Sequence, residues 1–281
     1  MTGSAVRCIR AYMHQQLEVV PDDAPATEVA ARMRDRRVGA VFVESLDRER
    51  QQCRLAGIIT ETDLVVKLLA TGQQAGATTA GQLMSRPIVT IAPDRPMLDA
   101  GHVMNNAHVR HLGVVEDGEI VGVLSVRDLA RAFTETATGP VQALNDVYSP
   151  LTVLMTQAIE TLDSQKTVAE AARWMAARRI GSVFVVEAGE IVGIVTESDV
   201  VRKCLAEGQD ATVVRLRSLL TFPLVGIEVT RSIQDACELM ATHHIRHLAV
   251  TDRTKIVGVV SIRDLVKMVA ARDRPDYLRR A

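Results

Sequence analysis

Four times along this chain a glycine is followed three residues later by a serine or threonine, and six residues later by an aspartate. The copies read "GIITETDL" (57–64), "GVLSVRDL" (122–129), "GIVTESDV" (193–200) and "GVVSIRDL" (258–265). The aspartates, Asp63, Asp128, Asp199 and Asp264, stand 65, 71 and 65 residues apart, and alternate ones are both separated by 136. Self-similarity at a fixed step is the mark of a repeat architecture, and a step that itself repeats reads as a duplication within a duplication. The second and fourth copies align without a gap from Leu83 to Leu129 and from Leu219 to Leu265. The first and third share "ATEVAARMRDRRVGAVFVE" and "TVAEAARWMAARRIGSVFVVE". The first carries six extra residues between Gly39 and Gly57, within "SLDRERQQCR", which we expect in an exposed hairpin loop.

Each copy has one order of elements. A short extended stretch such as "PIVTI" leads to a helix whose apolar residues (Val29, Ala30 and Met33; Ala171, Trp174 and Met175) fall on one stripe. A strand follows ("GAVFV", "HLGVV"), then a turn containing glycine ("EDGE", "EAGE"), a second strand and a second helix. The fold class is therefore α/β (α+β), built from four β-α-β-β-α units over 10–72, 80–135, 152–208 and 215–272, with "TETATGPVQALNDVYSP" as the central linker. A unit of about 60 residues buries too little surface to be comfortable alone, so we expect the units to pair. The methionines at 33, 104, 175 and 240 read as helix-core packing.

Composition removes several function classes. A net charge of −1 provides no basic stripe for a nucleic-acid backbone. No run approaches the ~20 apolar residues of a membrane span, and the N-terminus lacks the apolar stretch of a signal peptide. Cys8, Cys53, Cys204 and Cys237 have neither pairing nor ligand spacing and read as reduced thiols. A cytoplasmic location is expected. The sequence contains no P-loop and no nucleophile–base arrangement, and its repeats occupy nearly the whole chain, so no enzyme and no catalytic cofactor is expected.

The repeated corner has two readings. Thr60 with Asp63, and likewise Ser125 with Asp128, Thr196 with Asp199 and Ser261 with Asp264, form capping boxes at helix starts. Capping alone does not explain the glycine three residues earlier, which usually marks close approach to the backbone. A helix N-terminus with a hydroxyl also attracts phosphate, and a carboxylate there can hold a ribose diol.

These corners, together with the strands "RRVGAVFV", "RRIGSVFVV", "VRHLGVV" and "IRHLAVT", resemble the cystathionine-β-synthase (CBS) domain family. Four copies are similar to two tandem pairs, each a Bateman module, over about residues 10 to 270. The resemblance implies a disc-like assembly, as a monomer or a homodimer, that binds adenosine-containing ligands between paired domains. AMP, ADP and ATP are expected, with S-adenosylmethionine, NAD and cyclic dinucleotides as alternatives. It further implies that the aspartates hold ribose, with Gly57, Ile58 and Thr62, and Ile194 and Ser198, lining the corners of the first and third units. Arg110-His111 and Arg246-His247 occupy positions where the family often carries phosphate-binding cations. They are therefore paired with Thr60/Asp63 and Thr196/Asp199. The first and third units have Gly39-Ala40 and Gly181-Ser182 there, so Arg127 and Arg263 are assigned to Ser125/Asp128 and Ser261/Asp264.

"HHIRH" (243–247) invites a metal reading, but residues four apart on an approaching strand sit too far apart to chelate. No metal is expected. The function expected is a regulatory sensor of adenosine phosphates acting on a protein partner. The alternatives are a structural or assembly module whose clefts bind nothing and, disfavoured by the missing ligand set, a small metal-dependent enzyme. Removing Thr60 and Asp63 together is expected to abolish binding at the first cleft and leave the fold intact.

Overall fold

The computed structural model describes residues 8–47, 52–134 and 151–264. The tip of the six-residue insertion, the central linker beyond residue 134 and the last helix of the fourth repeat beyond Asp264 lie outside them.

Each repeat forms a small three-stranded sheet. The first contains β1 (Val19–Pro21), β2 (Ala40–Asp47) and β3 (Gln52–Thr60), in that order across the sheet. The second contains β4 (Thr90–Ile91), β5 (His111–Glu116) and β6 (Glu119–Ser125). The third has β7 (Thr161–Asp163), β8 (Ser182–Glu187) and β9 (Glu190–Thr196), and the fourth β10 (Gly226–Glu228), β11 (His247–Asp252) and β12 (Lys255–Ser261). In every sheet the first strand is parallel to the second, which requires a crossover helix between them. The second and third strands form an antiparallel hairpin. Among the described residues the expected β-α-β-β order is present in all four.

The same local chemistry recurs. The crossover helices run Ala26–Asp35, Met97–Ala107, Val168–Arg178 and Ile233–Thr242. Each is followed by one residue at positive φ (Arg37, His108, Arg179 or His244), which ends the helix and turns the chain into the strand. The hairpins turn through Asp117-Gly118 and Ala188-Gly189, both residues at positive φ, as tight two-residue turns demand. The insertion in the first repeat lengthens both strands of its hairpin instead of forming only a loop: β2 spans 8 residues and β3 spans 9, against 6 and 7 in the third repeat.

The chain gathers into two compact units. One contains Leu17–Ile88 and Glu160–Leu224, the first and third repeats. The other, in its described residues, contains the N-terminal segment to Gln16, Val89–Ile159 and the chain from Val225, the second and fourth repeats. The units therefore cut across the tandem order of the sequence. In the first unit Val29, Met33, Val41, Val43 and Ile59 share a core with Ala172, Met175, Val183, Val185 and Val195. In the second, Ala100, Met104, Leu112 and Leu124 pack with Ala236, Met240, Leu248 and Val260. Trp174, expected on the buried stripe, sits at its rim: Nε1 donates to Glu160 at 2.8 Å and the Arg178 guanidinium stacks over the ring at 3.4 Å. Burial pushes the Cys204 thiol up to about 11 and the Cys237 thiol to about 12, away from the thiolate form. No helix among the described residues is long and apolar enough to cross a membrane.

The glycine that opens each corner has a packing role. Beside each one lies a strap, a short piece of chain from elsewhere in sequence, bridged to the last strand of the hairpin. Ser85 bridges Ile58, His14 bridges Val123, Thr221 bridges Ile194 and Thr156 bridges Val259. A Cβ on Gly57 would stand 2.9 Å from Cβ of Met84, and one on Gly258 2.9 Å from the backbone oxygen of Thr156. A Cβ on Gly122 or Gly193 would stand 3.0 Å from the backbone oxygen of His14 or Thr221, respectively. The glycines permit a close approach, and the approaching group is the chain itself. Gly258→Ala is expected to lose about 1–3 kcal/mol through this overpacking, read as a lower denaturant midpoint at constant slope. A wild-type midpoint would contradict the role given to the strap.

Candidate functional site

All four corners are built alike, and the hydroxyl residue that ends each hairpin starts them. The extended backbone of Thr60 (φ −115°, ψ 166°) frees its side chain to cap the helix that follows. The Asp63 nitrogen donates to Thr60 Oγ1 at 3.3 Å, while Asp63 Oδ2 accepts from the Thr60 nitrogen at 2.8 Å and from its hydroxyl at 2.6 Å. Thr196 and Asp199 repeat this at 2.9 and 2.6 Å. Ser125 with Asp128 gives 2.9 and 2.6 Å, and Ser261 with Asp264 gives 3.0 and 2.5 Å. One carboxylate oxygen is thus spent on the cap in every copy.

The other oxygen, Oδ1, meets the strap. Asp63 Oδ1 accepts from Ser85 Oγ at 2.8 Å and pairs with Lys67 Nζ at 2.7 Å. The lysine also donates to Ser85 Oγ and to the Leu83 carbonyl. In the third repeat Asp199 Oδ1 accepts from Thr221 Oγ1 at 3.0 Å and pairs with Lys203 at 2.7 Å, and that lysine donates to the Leu219 carbonyl. The helices carrying these lysines widen to i→i+5 hydrogen bonding (Ala70 to Val65, Ala206 to Val201), a local form often found at functional positions.

The second repeat differs. Asp128 Oδ1 meets His14 Nε2 at 3.0 Å, with Arg131 at 3.8 Å. Burial works to raise the Asp128 pKa, but the bonds from His14 and Ser125 outweigh it and hold the carboxyl below its ordinary range.

The strand-start residues lie across from their own corners. Ala40 pairs with Thr60, His111 with Ser125, Ser182 with Thr196 and His247 with Ser261. The carbonyls of Gly39, Arg110, Gly181 and Arg246 accept from the first helical nitrogen of the same corner at 3.0–3.1 Å. Arg127 and Arg263 lie in the first helical turn beside their aspartates. Thr62 and Ser198 have a different employment. Thr62 donates to Glu197 at 3.1 Å and Ser198 to Glu61 at 2.8 Å, fastening the first repeat to the third across two glutamates 2% and 3% exposed.

His243 and His244 end a helix, and the strand begins at His247, so the helix–strand turn spreads the histidines apart. Among the described residues no group of three or more His, Cys, Asp or Glu is placed to hold a metal ion.

Sequence reasoning missed the partners of Oδ1. Their signal was present: "YMHQ", "LMSR", "LMTQ" and "LLTF" hold matching places before the first strands, and a lysine follows Asp63 and Asp199 by four.

The comparisons with known proteins agree with this architecture. The CBS domain family model matches residues 9–70, 80–135, 151–206 and 216–271. The chain is 33% identical over 111 residues to the CBS domain-containing protein YhcV of Bacillus subtilis, covering 40% of this chain and 79% of that one. It is 31% identical over 115 residues to the mitochondrial CBS domain-containing protein CBSX3 of Arabidopsis thaliana, covering 40% of this chain and 54% of the relative, about half its length. Among solved structures it is similar to MJ1225 of Methanocaldococcus jannaschii, described as a candidate archaeal homolog of g-AMPK. That likeness has a TM-score of 0.74 at 16% identity and covers 93% of this chain and 99% of the other, which establishes likeness of fold. The chain belongs to the CBS domain family, with four copies of the domain in tandem.

Proposed function

We propose that this four-domain CBS chain binds adenosine phosphates at its corners and, through them, regulates a protein partner. The observation that carries the reading is the fourfold geometry. Each corner fixes an aspartate by spending one oxygen on the cap, which leaves Oδ1 for a second partner, strap or ligand, at a helix start whose dipole favours phosphate. A carboxylate held in one rotamer is preorganised to accept from a ribose hydroxyl at little entropic cost. Arg110-His111 and Arg246-His247 are assigned to the phosphates, as are Arg127 and Arg263. Nothing in the reading requires catalysis, since a ligand that binds two conformations unequally shifts their balance by that difference alone.

A second reading has an observation of its own. In three corners Oδ1 is engaged by a strap residue, so the corners can serve as fasteners in an assembly module. The two readings separate on a simple measurement. The purified chain, denatured and analysed by mass spectrometry, should release an adenosine phosphate, and the dialysed protein should rebind it saturably. A chain that carries and rebinds no nucleotide would leave only the fasteners.

A further inference from the structure

The N-terminal segment Cys8–His14 lies along the second repeat as its strap. Ile9 and Arg10 donate backbone hydrogen bonds to Arg95 and Pro93 at 3.0 and 2.8 Å, and Ile9 and Tyr12 are buried. Arg131 stacks over the Tyr12 ring at 5.5 Å. His14 exchanges two backbone hydrogen bonds with Val123, each 2.9 Å, and its ring ends on Asp128 Oδ1 at 3.0 Å. The His14 side chain is 59% exposed and that of Asp128 6%.

The matching strap groups of the first and third repeats are the hydroxyls of Ser85 and Thr221, backed by Lys67 and Lys203. Neither strap hydroxyl is an acid–base group near neutrality. In the second repeat the position four beyond the aspartate is Ala132, which brings no cation, and the strap residue is a histidine. Of the three corners whose strap contact is described, this one turns on a group that titrates in the physiological range.

We propose that the N-terminal strap is a proton-dependent occupant of the second corner: protonated His14 holds Asp128 Oδ1 against a ribose hydroxyl, and rising pH yields that oxygen to ligand. The proposal rests on the nucleotide reading above and names how one of its sites is regulated.

The sign follows from the contacts. The hydrogen bond to Asp128 raises His14 above its ordinary 6.5, with burial and Arg131 opposing. A raised histidine contributes fully below 6.5, and its contribution is lost as pH climbs through the higher folded value. Asp128, held below its ordinary 3.8, stays ionised throughout that window. Arg10 on the strap is paired with Glu116, which that contact holds below its ordinary range; His111, opposite Ser125, is a second imidazole at this corner, and His14→Ala separates its contribution from that of His14.

Adenosine is the suitable probe, because the phosphate of AMP itself titrates at pKa about 6. Calorimetry should show adenosine binding at one site about 5-fold or more tighter at about pH 8.5 than at about pH 6, within the range of ordinary site couplings. His14→Ala, at an exposed side chain, should keep the fold and bind at the tighter level at both pH values. In the ligand-free chain the His14 imidazole, followed by NMR, should titrate above its ordinary value, and the Met13 and His14 amides should exchange faster once it deprotonates. A His14 that titrates normally, or an affinity step that survives His14→Ala, overturns the proposal. If the imidazole and the strap behave as described but adenosine binds at no pH, the nucleotide reading fails and takes the competition with it.

Discussion

Asp63→Ala should cost the protein about 3 kcal/mol, well beyond the loss of a ligand contact. The cap accounts for about 1 kcal/mol of this. The remainder comes from losing the charge-assisted bonds to Ser85 Oγ and Lys67 Nζ, about 1.5–3 kcal/mol for a bond to a charged group and toward the low end here, because the Lys67 side chain is 39% exposed and can be rehydrated. Asp63 is 8% exposed and bonds to Thr60 through one oxygen and to Ser85 and Lys67 through the other. Asparagine does not repair it. All the facing groups are donors, so its amide nitrogen must confront either the Thr60 N–H or the lysine. Denaturant unfolding of Asp63→Ala, Lys67→Met and the double variant tests the arrangement. The double variant should be milder than the sum of the singles by about 1–2 kcal/mol, as residues in one network couple. An Asp63→Ala loss below about 0.5 kcal/mol would contradict the network. The Thr60/Asp63 double variant is accordingly expected to lose stability as well as ligand. The residue that would hold ribose also holds the first repeat to its strap.

Arg110→Ala should weaken a phosphorylated ligand more than it weakens adenosine. If Arg110 contacts phosphate, its loss removes a charge-assisted hydrogen bond of about 1.5–3 kcal/mol, which is roughly 10- to 100-fold in affinity. Adenosine has no phosphate to lose, so its affinity should fall no more than about 3-fold by the same arithmetic. Titrating AMP and adenosine in parallel isolates the phosphate contribution, since any general damage to the corner weakens both. Equal losses for the two ligands would remove Arg110 from the phosphate site.

What the sequence revealed depended on the range of the interaction. The β-α-β-β-α order, the turns at Asp117-Gly118 and Ala188-Gly189 and the four caps are local, and each is written within a few residues. The packed methionines at 33, 104, 175 and 240, all 0–2% exposed, followed from helical periodicity. The straps did not, because Ser85 reaches back 22 residues to Asp63 while His14 reaches forward 114 to Asp128. The matching places of the four strap segments mark equivalent residues but not the corner that each one reaches. The glycines were legible as a demand for close approach but silent about what approaches. Thr62 and Ser198 illustrate a related limit. Their place beside the corner suggested a ligand, and only the fold shows their hydroxyls bound to Glu197 and Glu61 of the facing repeat.

The account stands or falls on whether these corners take an adenosine phosphate. Calorimetric titration of AMP into the dialysed chain measures that directly, with GMP, which shares the ribose and phosphate, as the comparison for the base. The account predicts saturable AMP binding at one or more sites per chain, weakened by Arg110→Ala and stronger than the binding of GMP. No saturable heat with AMP on a folded chain would contradict it, and the four corners would then stand as fasteners alone.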